Sequence, residues 1–325
     1  MTLQFRIPGP LGSSPTSRGS RPPGPLGYGL GIFAVPKQIT KATKKLGMPL
    51  PAKGSETKLA RDVPWNLFGK EPALGDVAQG ALANCPLASL LAALAYTPSG
   101  RKHIQGLVAE HSAIVETDLS GVASKLDSAP SGNKIISNRY FTVTLGGKAI
   151  EVSSVLYTDD ADLNWTPIYM RSPNNLLWAC VIEKAYAEKE GGYEALDSKT
   201  ANDIWKVVVG SSPSGFEVTE KTDDSKIRAA ANNASKIPTI AASKVGATDV
   251  EEWHGFAVLG MKGSKIELYD PMMLSGRHFR WRYSARTSSV FCMGVSDGAS
   301  ICATRWSGKA MTRTRRSRRT RSIIG

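Results

Sequence analysis

Apolar residues recur at helical spacing between Cys85 and Leu94, where Leu87, Leu90, Leu91 and Leu94 are separated mainly by alanines. Alanine is the best helix former, and a helix that is apolar all round is a buried one. Pro86 suits the first helical position, where its missing N–H would have no partner anyway. Thr97-Pro98-Ser99-Gly100 stops the run. A second helix is expected over Gly100–Ile114, with Ile104, Leu107 and Val108 on one face. A third opens at Ser172-Pro173 and ends at Gly191-Gly192, a fourth is capped by Thr200 with Asp203 and runs through Val209, and a fifth covers Asp223–Ala234. Elsewhere the period changes to two. Tyr140–Leu145, Gly146-Gly147 and Lys148–Val152 read as a β-hairpin. Ile237–Ala242, His254–Gly260, Lys265–Asp270, His278–Tyr283 and Ser289–Val295 read as strands. The pattern implies an α+β fold with a helical first lobe, 63–211, and a β-rich second lobe, 212–304, divided at the loop Gly210–Gly215.

Neither period reaches the ends. Residues 1–62 are rich in Pro and Gly, and Pro8-Gly9-Pro10-Leu11-Gly12 recurs as Pro23-Gly24-Pro25-Leu26-Gly27. Such a composition buries too little apolar surface to offset backbone ordering, so a disordered segment is expected. Residues 305–325, with Arg313-Thr314-Arg315-Arg316-Ser317-Arg318-Arg319-Thr320-Arg321, are expected to form a second disordered tail, suited to an anionic partner such as nucleic acid or a membrane surface. Charge supports this division. Of 41 Lys/Arg and 28 Asp/Glu, residues 1–65 hold 10 and 2 and residues 305–325 hold 8 and none, leaving 23 and 26 between them. The net charge of +13 therefore belongs to the ends, and the centre is not built to bind nucleic acid. No apolar run approaches the ~18 residues of a membrane span, and no signal-peptide core is evident. The four cysteines, Cys85, Cys180, Cys292 and Cys302, lack zinc-site spacing, and an intracellular, reducing location is expected.

Cys85 stands at the junction between a turn and its helix. Unpaired N–H groups and the helix dipole favour a thiolate there. Gln79, six residues upstream, can aim an amide at the same point, and a sulfur nucleophile with an amide donor is the beginning of an acyl-transfer site. Such a nucleophile needs a base. His103 and His111 fall on the expected second helix without distinguishing neighbours, and His278 lies in an Arg-rich strand. His254 opens a hairpin. A three-residue loop, Met261-Lys262-Gly263, would set Gly260 opposite Ser264 and hence His254 opposite Asp270, Phe256 opposite Leu268 and Val258 opposite Ile266. In that register Asp270 orients the imidazole, and Cys85, His254 and Asp270 form a triad, with Gln79 completing an oxyanion hole.

Gln79-Gly80-Ala81-Leu82-Ala83-Asn84-Cys85 resembles the nucleophile segment of calpain-type, papain-fold cysteine proteases. Two further blocks resemble the family in the same order: Leu176–Ala187 with Gly192–Leu196, and His254-Gly255-Phe256-Ala257-Val258 with Asp270-Pro271. The resemblance implies a two-lobed papain-like core, an endopeptidase acting on protein or peptide substrates, and the same Cys85, His254 and Asp270. Several positions depart from the family's usual residues. Ala83 stands for Gly, Asn84 for Asp, Pro86 for Trp and Asp270 for Asn, and Met272-Met273 replaces the Trp-Gly that usually follows Pro. Larger family members carry calcium-binding modules. No EF-hand loop is present here, and Asp159-Asp160-Ala161-Asp162 is the acidic run that could take calcium. A Cys–His–Asp set on this fold also suits transglutaminase-type acyl transfer or deamidation. The departures also admit a pseudo-protease that binds without cutting.

Overall fold

The computed structural model describes residues 43–53, 59–159, 165–197, 199–219, 221–243 and 250–272, together with the backbone at 278–281 and 289–293. In chain order the elements are β1 (Lys44–Gly47), β2 (Leu59–Asp62), α1 (Cys85–Tyr96), α2 (Pro98–Leu107), β3 (Val108–Asp118), β4 (Lys134–Leu145), β5 (Lys148–Ser153), β6 (Val155–Thr158), α3 (Trp178–Glu190) and α4 (Ala201–Val209). There follow β7 (Ser214–Glu217), α5 (Asp224–Asn233), β8 (Thr239–Ser243), β9 (Gly255–Lys262), β10 (Lys265–Tyr269), β11 (His278–Trp281) and β12 (Ser289–Met293). The fold is mixed α+β, but the first part is not simply helical. It contains a four-stranded sheet in the order β1-β3-β4-β5 and a two-stranded pair, β2-β6. The second part is a six-stranded sheet in the order β11-β10-β9-β8-β12-β7.

Helix α1 organises the core because almost no position on it is polar. Every residue from Cys85 to Ala95 is buried. Its leucines pack with Ile240, Ala257, Leu259 and Tyr269 from the six-stranded sheet and with α3, β4, β5 and α4 in one apolar cluster. Truncating one such leucine to alanine costs roughly 2–5 kcal/mol. A second cluster lies on the sheet's other face, where Phe216, Phe256, Val258, Ile266 and Leu268 meet Ile227, Ala230 and Ala231 of α5. The strands that carry His254 and Asp270 are thus held between α1 and α5.

Several expectations need correction. Within the segment 1–62 that was expected to be disordered, Lys44–Gly47 and Leu59–Asp62 are strands. β1 pairs parallel to β3 and β2 pairs antiparallel to β6. Between them, Pro49 O accepts the Tyr157 hydroxyl at 2.7 Å and Leu50 O accepts the Tyr193 N–H at 2.8 Å. The helix expected over Gly100–Ile114 stops at Leu107, and β3 takes over, because the alternating residues beyond Val108 pair with β4. Helix α3 starts at Trp178 instead of Ser172. The N–H groups of Leu177 and Trp178 donate to Asn66 O and Leu67 O, while Ser172–Asn175 closes as a turn with Asn175 at φ +54°. The Gly146-Gly147 hairpin and the Gly191 and Gly210 helix ends form as expected, all four glycines at positive φ. The N-terminal segment up to residue 42, the Arg-rich tail and Asp160–Asp162 lie outside the described residues. Among the described residues no helix is long and apolar enough to cross a membrane.

Candidate active site

Cys85 is buried at the start of α1, with its sulfur 3.9 Å from the carbonyl oxygen of Trp253. The approach of β9 to this helix depends on a glycine. A Cβ at Gly255 would lie 3.1 Å from Ser89 Oγ and 3.3 Å from Cys85 O, so a larger residue would push His254 away from the sulfur. Ser243 fixes His254 from behind: the His254 N–H donates to Ser243 Oγ at 3.0 Å, and the Ser243 N–H donates to His254 O at 2.9 Å. Trp253, just before it, sits at φ +54°, a strained conformation for a bulky side chain, and turns the chain into β9.

His254 Nε2 lies 2.7 Å from Asp270 Oδ1. Asp270 Oδ1 also accepts the Met272 N–H at 2.9 Å, and the Phe256 ring stands edge-on to the imidazole at 4.7 Å. His254 and Asp270 are 3% and 4% exposed. Water is therefore kept from their contact without the tryptophan that family members usually carry there. Burial alone would push the imidazole down. Hydrogen bonding and charge from Asp270 and from the Cys85 sulfur outweigh it and raise His254 to about 9. With Nε2 turned to the carboxylate, Nδ1 is left for the sulfur side.

The contact is not made by the register expected from sequence. Lys262 pairs with Lys265 across a two-residue turn, Gly263-Ser264, and Gly260 pairs with Glu267. A bulge then skips Leu259, so that Val258 faces Leu268 and Ala257 faces Tyr269. Gly260 takes up the bulge at φ +148°. His254 and Asp270 consequently lie just beyond the paired residues, at the open end of the hairpin, and are not cross-strand partners. The alternation of faces survives, because the shorter turn and the bulge together preserve parity: Phe256, Val258, Ile266 and Leu268 share one cluster.

Gln79 is buried, and its segment is tied to that same hairpin end. Its N–H donates to Pro271 O at 2.7 Å, and the Tyr269 hydroxyl donates to Val77 O at 2.7 Å. Gly80 lets the chain pass against Ile168 and Tyr169, where a Cβ would fall 1.7 Å from Tyr169 O. The Gln79 side chain is oriented by one donated bond, Nε2 to Leu82 O at 2.8 Å. The other histidines are engaged elsewhere. His103 Nε2 lies 2.8 Å from Val208 O, and His111, on β3, lies 3.0 Å from Thr142 Oγ1 and stacks on Tyr140. His278 is in β11, and its side chain lies outside the described residues. Among the described residues no three His, Cys, Asp or Glu side chains converge to hold a metal ion.

Glu183 and Lys184 gave no site signal, because a Glu-Lys pair on a helix also reads as a solvated ion pair. Both are buried, and they point apart. Lys184 Nζ donates to Ser153 O, Ser153 Oγ and Val155 O, while Glu183 accepts from Asn84 Nδ2 and from the Met170 N–H. Asn84 precedes the cysteine, which brings Glu183 within one residue of it.

A buried sulfur at a helix start, next to an imidazole held by a carboxylate, defines the class of thiol-dependent acyl-transfer folds. The family model for calpain family cysteine proteases matches residues 56–267, more than half of the chain, and the chain belongs to that family. The match spans Gln79, Cys85 and His254 and ends three residues before Asp270, whose assignment rests on its contact with His254. A search of curated proteins found no match to this chain.

Proposed function

We propose that this chain is a cysteine endopeptidase with a two-lobed papain-like core, in which Cys85 is the nucleophile, His254 the acid–base group, Asp270 its orienting partner and Gln79 an oxyanion donor. The observation that carries the reading is the chain of contacts from Asp270 through His254 toward Cys85, inside a family of known chemistry. His254 Nδ1 takes the Cys85 thiol proton, Sγ attacks the peptide carbonyl carbon, and the C–S bond forms as the oxygen takes the negative charge. The second N–H of the Gln79 amide and the Cys85 N–H, which has no acceptor within α1, stabilise that oxygen. The C–N bond breaks as His254 Nδ1 gives its proton to the leaving amine. Water then attacks the thioester, His254 takes the water's proton, and the C–S bond breaks to release the acid and leave the Cys85 thiolate beside a protonated His254, ready for the next turnover. Asp270 holds the ring through Nε2 throughout.

The experiment is incubation of the full chain with an unfolded protein, with and without a primary amine, read by mass spectrometry. New N-termini that vanish in Cys85→Ala support hydrolysis. Amine incorporation or Gln-to-Glu conversion without cleavage points to transglutaminase-type chemistry. No Cys85-dependent change in the substrate overturns the enzymatic reading in favour of a binding module.

A further inference from the structure

Ala83 and Asn84 lead the chain into Cys85, and each is held by a carboxyl. The Ala83 N–H donates to Asp197 Oδ1 at 3.0 Å, and Asn84 Nδ2 donates to Glu183 Oε1 at 2.7 Å. Glu183 Oε2 accepts the Met170 N–H at 2.7 Å, so the carboxyl is clamped between two donors. Asn84 occupies the cap position of α1, yet its side chain makes no capping bond. Its Oδ1 is buried without a hydrogen-bond partner among the described residues. An unpaired buried acceptor costs about 1–3 kcal/mol, and a buried carboxyl facing neutral amides is a poor stabiliser. Stability alone does not account for the pair.

We propose that Glu183 is a positioning residue for Cys85: acting through Asn84, it sets the direction in which the chain enters α1 and hence where the sulfur stands relative to His254. The proposal rests on reading Cys85 as the nucleophile. The titratable groups around Glu183 are Asp197, whose charge raises it, and Cys180 and Tyr193, which its charge raises in turn. The opening turns of α1 add none besides Cys85, Lys184 is spent on Ser153 and Val155, and Arg171 turns to Pro167 O. Burial, ahead of the two hydrogen bonds that oppose it, pushes Glu183 up to about 7. Ionised, the carboxylate accepts from Asn84 Nδ2. Protonated, its O–H finds an acceptor in Asn84 Oδ1 once that amide turns over, so the linkage persists in both states. A glutamine at 183 reproduces the protonated form, its oxygen accepting from Met170 and its amide donating to Asn84 Oδ1.

The experiment measures the rate of Cys85 alkylation by iodoacetamide from pH 5 to 9, by peptide mapping, together with kcat and KM on an unfolded protein and the melting temperature. It uses the full chain carrying Glu183→Ala, Glu183→Gln, Asn84→Ala or Asn84→Ala with Glu183→Gln. Glu183→Ala and Asn84→Ala are each expected to slow alkylation and lower kcat roughly tenfold, with KM within about twofold. Glu183→Gln is expected to stay within about threefold of wild type. The double variant is expected to be no slower than Asn84→Ala alone, as for two residues acting in series. Alkylation reports the sulfur's setting whether or not peptide bonds are cut, so failure of the protease reading stays distinguishable. Folded Glu183→Ala with wild-type alkylation at every pH, or additive effects in the double variant, overturns the proposal. If Glu183→Ala does not fold, Asn84→Ala, which removes no capping bond, decides the matter by the same readouts.

Discussion

The two sides of Cys85 each present a buried carboxyl, and the two are used differently. On the base side Asp270 faces an imidazole, and the pair is flanked by exposed apolar side chains, Trp253 at 43% and Met272 at 42%. On the entry side Glu183, buried on α3, is hydrogen-bonded by the Asn84 amide and the Met170 backbone N–H. A carboxylate beside a titratable cation tunes charge, whereas a carboxyl between neutral donors fixes geometry. On the function proposed above, the base side is where substrate acts, and the entry side sets the position of the sulfur.

The largest expected effect comes from removing what both sides serve. Cys85→Ala should lower turnover by roughly 10⁴ or more, the scale of losing a nucleophile, measured as peptide products at equal enzyme. On the base side, Asp270→Ala should cost roughly a hundredfold, because the ring is then free to turn, and Asp270→Asn on the order of tenfold, because an amide oxygen still accepts from Nε2. The pH profile has a defined sign. Activity that needs the imidazolium falls as pH rises through about 9 in wild type, and removing Asp270 takes away a raising influence, so the basic limb should move to lower pH. Wild-type rates for Asp270→Ala from pH 5 to 9 would place the orienting group elsewhere.

A smaller effect separates Glu183 from its neighbour. Burial, ahead of any charge nearby, lowers Lys184 to about 7 from the usual 10.5. Between those values the unfolded chain binds the proton and the folded chain does not, so this group makes stability rise with pH from about 7 to 10.5, by at most about 1.4 kcal/mol per unit. Glu183, raised from 4.5 to about 7, acts the other way: its contribution falls as pH climbs across that window and is flat above it. Denaturant melts should show the rise above pH 7 in wild type and its loss in Lys184→Met. A rise that persists in Lys184→Met would mean that another group carries it.

Cys85 and His254 were legible because each depends on local signals: a proline at a helix start, and a histidine-glycine opening an apolar strand. The contact between Asp270 and His254 was legible, but for an incorrect geometric reason. The two-residue turn and the bulge at Gly260 replace the three-residue loop that Met261-Lys262-Gly263 suggested. The faces survived because the shorter turn and the bulge together preserve parity. Glu183 and Lys184 were not legible, since burial of a charged pair is decided by the partners that surround it, and those are Asn84, Met170, Ser153 and Val155, up to 99 residues away. β1 and β2 were missed for a related reason. Lys44-Lys45-Leu46-Gly47 and Leu59-Ala60-Arg61-Asp62 are short and charged, and they become strands only by pairing with β3 and β6.

The central claim is that His254 activates Cys85. The direct measurement compares iodoacetamide labelling of Cys85 with that of Cys180 at pH 6, in wild type and in His254→Ala. Cys180 is the internal control, since burial pushes its thiol far up and its sulfur is turned to Met170 O at 3.1 Å. An ordinary thiol, with a pKa of about 8.5, is almost wholly protonated at pH 6 and labels slowly. The account requires Cys85 in wild type to label at least roughly tenfold faster than an ordinary thiol, and to fall to that slow rate in His254→Ala, with Cys180 unlabelled in both. Equal labelling of Cys85 with and without His254 would contradict it.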